Sequence, residues 1–190
     1  MNKIKLTLNN ILNKIGYRII RVDKSEKNYR DILKTFIIKN KDYIKGDVLE
    51  IGAAKWSWPK KEFANKCSFI ALDQTKDENV DIVGNIENLS VYLKNKKFDT
   101  ILCFEVLEHI KKINKAVEEI YQNLKNEGVL IASVPFNHEV HGESYGDYWR
   151  FTRQGLRELL KEFNKVEITG IGRKELNPHH YLIIAKKCAE

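Results

Sequence analysis

The stretch Val48-Leu49-Glu50-Ile51-Gly52 decides how the rest of the chain is read. It is a short apolar run with one carboxylate, closed by glycine, as in a buried strand that turns sharply at its C-terminal end. Phe69-Ile70-Ala71-Leu72-Asp73 repeats the pattern and ends in a carboxylate. Asp81-Ile82-Val83-Gly84 is shorter, and Thr100-Ile101-Leu102-Cys103-Phe104 is nearly all apolar. Gly128 opens a fifth run, Val129-Leu130-Ile131-Ala132-Ser133-Val134, stopped by Pro135, and two later strands are expected at 166–171 and 180–185. Helical spacing separates these runs. Val117, Ile120, Tyr121 and Leu124 precede the fifth strand, and Leu156, Leu159, Leu160 and Phe163 precede the sixth. Continuous apolar strands alternating with helices indicate a parallel sheet covered on both sides. The expected fold is α/β: a doubly wound, Rossmann-like, mostly parallel seven-stranded sheet with helices on both faces. Such sheets bind ligands at the C-terminal ends of their strands.

Residues 1–45 read differently. Ile4, Leu8, Ile11, Leu12, Ile15 and Ile19 recur at helical spacing among lysines and asparagines, and Gly16 suits a break. A second helical stretch is expected over 29–44, with Ile32, Phe36, Ile37 and Ile44 as its apolar positions. The chain therefore divides into a basic helical extension, 1–45, and an α/β domain, 46–190. The net charge of +7 follows the same division: 1–45 holds twelve basic and four acidic side chains, and 46–190 holds 21 basic and 22 acidic. The positive charge belongs to the extension, so it does not mark the domain as a nucleic-acid binder. Two readings of the extension stand side by side. Its basic amphipathic face suits an anionic membrane surface, or its apolar stripe packs as a cap over the cleft or against a second copy in a homodimer. No apolar run reaches the ~20 residues of a membrane span, and Lys3, Lys5, Asn9, Asn10, Asn13 and Lys14 break up any signal-peptide core. Cys67, Cys103 and Cys188 form no CxxC pair and read as free thiols of a reducing compartment. The expected location is cytoplasmic, at most peripheral to a membrane.

Gly52 lets the backbone turn and approach a ligand with no Cβ in the way. Asp73, at the end of the second strand, can accept hydrogen bonds from ribose hydroxyls. Two further segments extend the pattern: Phe98-Asp99-Thr100-Ile101-Leu102-Cys103-Phe104-Glu105-Val106-Leu107-Glu108-His109-Ile110, and Asn126-Glu127-Gly128-Val129-Leu130. Together with 48–52, Asp73 and Asp81-Ile82-Val83-Gly84-Asn85-Ile86, this series resembles the class I S-adenosylmethionine-dependent methyltransferases from about Asp47 to Lys186. The resemblance implies S-adenosyl-L-methionine as cofactor. It aligns Glu50, Gly52, Ala53 and Ala54 with the glycine-rich loop beside the methionine part of that cofactor. Ala54 and Trp56 stand where later glycines usually occur, which implies an altered loop geometry with binding retained. Asp73, with Gln74 beside it, matches the ribose-binding carboxylate; Asn85 and Ile86 match the pair beside the adenine, Asn85 replacing the usual Asp. Phe104 and Glu105 match the positions that flank the sulfonium. A dinucleotide site is disfavoured because no GxGxxG follows Gly52.

After the fifth strand, Pro135-Phe136-Asn137-His138-Glu139-Val140-His141 leads to Gly146-Asp147-Tyr148-Trp149-Arg150-Phe151-Thr152. This segment resembles a subgroup of small methyltransferases of polysaccharide and glycolipid biosynthesis, although the usual Pro before the Asp is missing. In such folds the loop closes over the cofactor and shapes the acceptor pocket. An oxygen or amine acceptor needs a base, and histidine suits that task near neutral pH. His109 and His141 are the first candidates for that base, followed by His138 or Asp147; His138, Tyr148, Trp149 and Arg150 are candidates for contacting the acceptor. For each there is a plain alternative: a structural hydrogen bond for the histidines, pairing with Asp147 for Arg150, anchoring of the loop for the aromatics. No metal is expected, because His138-Glu139-Val140-His141 is one residue short of HExxH and the adjacent His179 and His180 would face opposite sides of a strand. The expected reaction is methyl transfer to a small molecule, a sugar or lipid-linked glycan hydroxyl. RNA methylation and non-catalytic cofactor binding are the alternatives. Cys103-Phe104-Glu105-Val106 replaces the Asn/Asp-Pro-Pro-aromatic motif of one nucleic-acid class, and no Pro-Cys nucleophile occurs, so nucleic acid is the less favoured partner.

Overall fold

The computed structural model describes residues 29–54, 57–142, 144–172 and 177–189. It contains one seven-stranded sheet, built from β1 (Asp47–Ile51), β2 (Ser68–Asp73), β3 (Ile82–Val83), β4 (Phe98–Phe104), β5 (Leu124–Pro135), β6 (Lys165–Ile171) and β7 (His180–Lys186). The strand order is β3-β2-β1-β4-β5-β7-β6. β7 runs antiparallel to both β5 and β6; every other pairing is parallel. This is the mostly parallel α/β sheet that the apolar runs predict.

Five α-helices accompany the sheet among the described residues: α1 (Tyr29–Lys39), α2 (Trp58–Phe63), α3 (Leu89–Tyr92), α4 (Ile113–Asn123) and α5 (Arg153–Leu159). The chain divides into two compact units, 1–35 and 36–190. The division falls inside α1, ahead of the 45/46 boundary expected from composition. Of the first unit only 29–35 is described, so the amphipathic stretch from Ile4 to Ile19 and the expected break at Gly16 lie outside the described residues. The helix expected over 29–44 stops at Lys39, where the Asn40 side chain donates to the Phe36 carbonyl (2.9 Å), and a 3-10 turn (Lys41–Tyr43) follows. No helix among the described residues is long and apolar enough to cross a membrane.

Both faces of the central strands are covered. Leu49, Ile101, Cys103, Leu130 and Ala132 join α3, α4 and α5 in one apolar cluster. Their strand neighbours Val48, Leu102 and Ile131, which point the opposite way, are fully buried as well. On that second face Thr100 fixes the 41–45 segment: its hydroxyl donates to the Tyr43 carbonyl (2.6 Å) and accepts from the Lys45 amide (3.4 Å). The N-terminal ends of β1 and β4 are tied by Lys125, whose ammonium reaches Asp47 (3.0 Å) and Asp99 (2.7 Å). The C-terminal ends are left open for the site.

Gly52 ends β1 with φ at +81°, and its amide donates to the Leu72 carbonyl (2.9 Å). A Cβ there would run into the Val106 side chain. Gly52→Ala is therefore expected to destabilise the fold by about 1–3 kcal/mol through backbone strain alone, read as a lowered midpoint in chemical denaturation. An unchanged midpoint would contradict the assigned turn.

Candidate active site

In the strand order, β1 lies between β2 and β4, and the chain crosses from one half of the sheet to the other there. This is the switch point at which open α/β sheets form a ligand crevice. On the β2 side the crevice carries Gly52, Asp73 and Asn85. Asp73 Oδ2 accepts from the Ala54 amide (3.1 Å) and Oδ1 from the Thr75 amide (2.8 Å). A carboxylate has about four acceptor positions, so lone pairs remain for a ligand's hydroxyls. Ala54, in a position where glycine is usual, thus still lends its backbone to hold Asp73. Ala53 is fully buried, Gln74 is exposed beside Asp73, and Trp56 lies outside the described residues. Asn85 opens a 3-10 turn (Ile86–Asn88), its side-chain oxygen accepting from the Glu87 amide (2.8 Å), with Ile86 buried beneath.

Glu50 points into the interior, 2% exposed, and accepts from the Ser57 hydroxyl (3.2 Å). Burial pushes its carboxyl up to about 7, with the Ser57 hydrogen bond partly opposing the rise.

The other wall follows β4. Phe104 is buried at the strand end, and Glu105 takes φ of +53°, a conformation that costs a non-glycine residue energy. Its carboxylate accepts from the Ser133 hydroxyl (2.7 Å) and meets His180 Nε2 (3.1 Å). Three residues on, in a 3-10 turn (Leu107–His109), Glu108 is fully buried, and neither carboxylate oxygen has a hydrogen-bond partner among the described residues. Burial, and secondarily the charge of Glu105, hold its carboxyl well above the usual carboxylate range.

The loop after β5 is stitched onto this turn. The Glu108 carbonyl accepts from the amides of Tyr148 (2.8 Å) and Trp149 (3.2 Å), and the Trp149 indole donates to the Ile110 carbonyl (2.8 Å). His109 Nδ1 donates to the Gly146 carbonyl (2.5 Å), and its ring packs edge-on against His141 and Tyr145. Burial pulls the His109 imidazole below its ordinary range. His141 Nδ1 lies 3.3 Å from Asp147 Oδ2 and 3.2 Å from the Glu139 carbonyl. Asp147 is also gripped by both nitrogens of the Arg150 fork (2.5 and 2.6 Å), which holds its carboxyl well below the usual range.

The structure thus brings His109, His141 and Asp147 together in one place. Both Asp147 oxygens are engaged, by the Arg150 guanidinium and by the backbone amide and ring of His141. Arg150 also bonds the Trp149 and Glu139 carbonyls, so its guanidinium is used inside the loop. Trp149 stacks on Phe151 and forms part of the wall of a separate groove between α4 and α5. Tyr148 and His138 remain exposed at the loop surface. Sequence reasoning passed over Glu108 and Ser133, and weighed His180 only as a metal ligand. Glu105 and Glu108 flanking His109 directly after an apolar strand was the available signal for Glu108. Nothing local brings His180 to Glu105, because that contact depends on β7 inserting antiparallel beside β5.

A seven-stranded sheet with one antiparallel strand, β7, a glycine turn closing β1 and a carboxylate closing β2 at the switch-point crevice is the arrangement of the class I S-adenosylmethionine-dependent methyltransferases. A methyltransferase-domain family model matches residues 7–174, and the chain belongs to that family. Nodulation protein S of Azorhizobium caulinodans is 33% identical over 104 residues, covering 48% of this chain and 50% of that protein. The chain spans about half the length of that relative. Among solved structures, the N-methyltransferase NodS of Bradyrhizobium japonicum WM9 superposes with a TM-score of 0.65 at 14% identity, covering 88% of this chain and 99% of that one. A Burkholderia thailandensis 1,6-didemethyltoxoflavin-N1-methyltransferase, solved with its substrate and S-adenosylhomocysteine, gives 0.64 at 16% identity, with 90% and 95% covered.

S-adenosylmethionine is the cofactor, and the residues present fit it. Asp73 keeps free lone pairs where the ribose hydroxyls need acceptors, and the Gly52 turn, at φ +81°, brings bare backbone to the rim of the crevice. Of the other residues that the sequence reading aligns with cofactor contacts, Gln74 and Asn85 are accessible at the crevice, Ala54 holds Asp73, Glu105 is engaged by Ser133 and His180, and Glu50, Ala53, Ile86 and Phe104 are buried. When bound, the cofactor supplies an electrophilic methyl group on positively charged sulfur.

The Glu50 carboxyl gives this wall a pH dependence. Between about 4.5 and about 7 the folded chain holds a proton that the unfolded chain has lost, so stability falls as pH rises through that window. Glu50→Gln is expected to abolish that slope in the cofactor-free protein and to raise stability at pH 8 by roughly 3 kcal/mol. Identical stability–pH curves for the two proteins would contradict the burial of an ionising Glu50.

Proposed function

We propose that the protein methylates a hydroxyl or amine of a small sugar-containing acceptor, a free sugar or a lipid-linked glycan. The observation that carries this reading is the cluster of Glu108 and His109, after β4, with His141 from the loop after β5, against which the 146–151 segment is anchored. A neutral hydroxyl or a protonated amine must lose a proton as it is methylated, and the cluster supplies groups suited to accept or stabilise that charge. The carbonyl acceptors at both Nδ1 atoms favour the tautomer with hydrogen on Nδ1, leaving each Nε2 lone pair available. Methyl transfer otherwise asks for alignment and the exclusion of water. The loop is built for both tasks, with Asp147–Arg150 bracing it internally and the Glu108 carbonyl anchoring it. The N-methyltransferase named among the solved structures supports nitrogen as an acceptor atom alongside oxygen, and the 146–152 motif supports a glycan substrate.

The test is incorporation of labelled methyl from S-adenosylmethionine into sugar nucleotides and lipid-linked glycan precursors, with total RNA as the competing acceptor. Labelled glycan is the expected product; label in RNA alone, or none from a sample that binds S-adenosylhomocysteine, would overturn the proposal. His141→Ala is expected to lower kcat by roughly 10²-fold or more while leaving the affinity for S-adenosylhomocysteine unchanged. Unaltered kcat would remove His141 from the reaction.

A further inference from the structure

Glu108, His109 and His141 each present one ligand atom, and the three atoms lie within 4.8 Å of one another. The surroundings of each are those of a metal ligand. Glu108 is a fully buried carboxyl whose two oxygens have no hydrogen-bond partner among the described residues. Buried carboxyls are ordinarily hydrogen-bonded or coordinated, and an uncompensated one is costly. Its Oε1 points at His109 Nε2 across 3.6 Å, too far for a hydrogen bond but suited to two atoms sharing a third partner. His109 donates through Nδ1 to the Gly146 carbonyl, which leaves Nε2 as the lone pair on the Glu108 side. His141 has a backbone carbonyl and the Asp147 carboxylate at its Nδ1. This outer shell is the one that metal-bound histidines use to fix tautomer and ring orientation.

We infer that Glu108, His109 and His141 form a binding site for one first-row divalent transition-metal cation, open on its outer side to the methyl acceptor. Two imidazoles and one carboxylate suit manganese, iron, cobalt or zinc better than magnesium or calcium, which favour all-oxygen shells. Ligand atoms about 2.0–2.2 Å from such an ion lie at most roughly 4.4 Å apart, so a small movement of the imidazoles closes the set. His141, with its side chain 33% exposed, forms the accessible edge; Glu108, at 0%, forms the floor. Three protein ligands leave coordination positions for an exogenous group. Resting on the methyltransferase reading, the cation takes the imidazole lone pairs in place of a proton: it binds the acceptor hydroxyl or amine and lowers its pKa, so that the proton passes to solvent and not to His109 or His141. Glu105 is outside the set, because Ser133 and His180 already engage it.

The test uses the untagged full chain, freed of metal with a chelator and titrated calorimetrically with Mn²⁺ and with Zn²⁺. The wild type is expected to bind one equivalent of cation. Glu108→Gln and His141→Ala are each expected to weaken that binding at least tenfold while S-adenosylhomocysteine still binds. Since Glu108 is in the core, circular dichroism checks that variant's fold, and His141→Ala, changed at the open edge, carries the test if it fails to fold. Absence of saturable cation binding by folded wild type, or equal affinity in wild type and His141→Ala, would overturn the inference. Binding of S-adenosylhomocysteine without cation defeats the metal site alone; binding of cation without S-adenosylhomocysteine defeats the methyltransferase reading alone.

Discussion

The parallel pairing of β1 with β2 on one side and β4 on the other is the constraint on which the site depends. Because the chain builds outward from β1 in both directions, the loops leaving β1 and β4 part at their C-terminal ends and a crevice opens between them. Everything chemically distinctive lies along its rim. Gly52, Asp73 and Asn85 follow β1, β2 and β3; Glu105, Glu108 and His109 follow β4. Register fixes their relative heights, since Ile51 pairs with both Leu72 and Cys103. The strands supply rigidity through burial on both faces, and the loops at their ends are free to carry polar groups that no core would accept.

A second level of organisation joins the long segment after β5 to that rim. The described residues of 136–152 contain no helix or strand, a length at which loops are commonly functional. The Glu108 carbonyl holds two consecutive amides of this segment, Trp149 holds Ile110, and the bidentate Asp147–Arg150 pair braces the loop from within. Charge-assisted, two-pronged bonds of this kind are directional as well as strong. The same residue, Glu108, therefore anchors the loop through its backbone and presents an unpartnered carboxyl through its side chain. A single position thereby couples the placement of the acceptor loop to the chemistry beneath it.

The centre of the sheet was legible from the sequence because β1, β4, β5 and β7 are buried on both faces and so read as continuous apolar runs. The helices α2 and α3 were not. Each has only a turn or two, α2 begins at Trp58-Pro59, and so short a span shows no periodicity. Asp73 and Gly52 were legible because their positions at strand ends carry the meaning. Glu108 was not, since a glutamate in a loop ordinarily reads as solvated, and its burial comes from the 146–151 segment folding back over it. The Glu105–His180 contact was hidden for a topological reason, because an antiparallel β7 brings together residues 75 positions apart. Arg150 could be read two ways, as a contact for an acidic acceptor group or as the partner of Asp147, and the structure pairs it with Asp147, three residues away in the same loop.

The most direct measurement is the crystal structure of the protein with S-adenosylhomocysteine. The account predicts the ribose hydroxyls on the free lone pairs of Asp73, the adenine against Asn85 and Ile86, and the sulfur between Gly52 and Glu105, facing the Glu108–His109–His141 cluster. A nucleoside bound elsewhere, with Asp73 making only its contacts to Ala54 and Thr75, would contradict it.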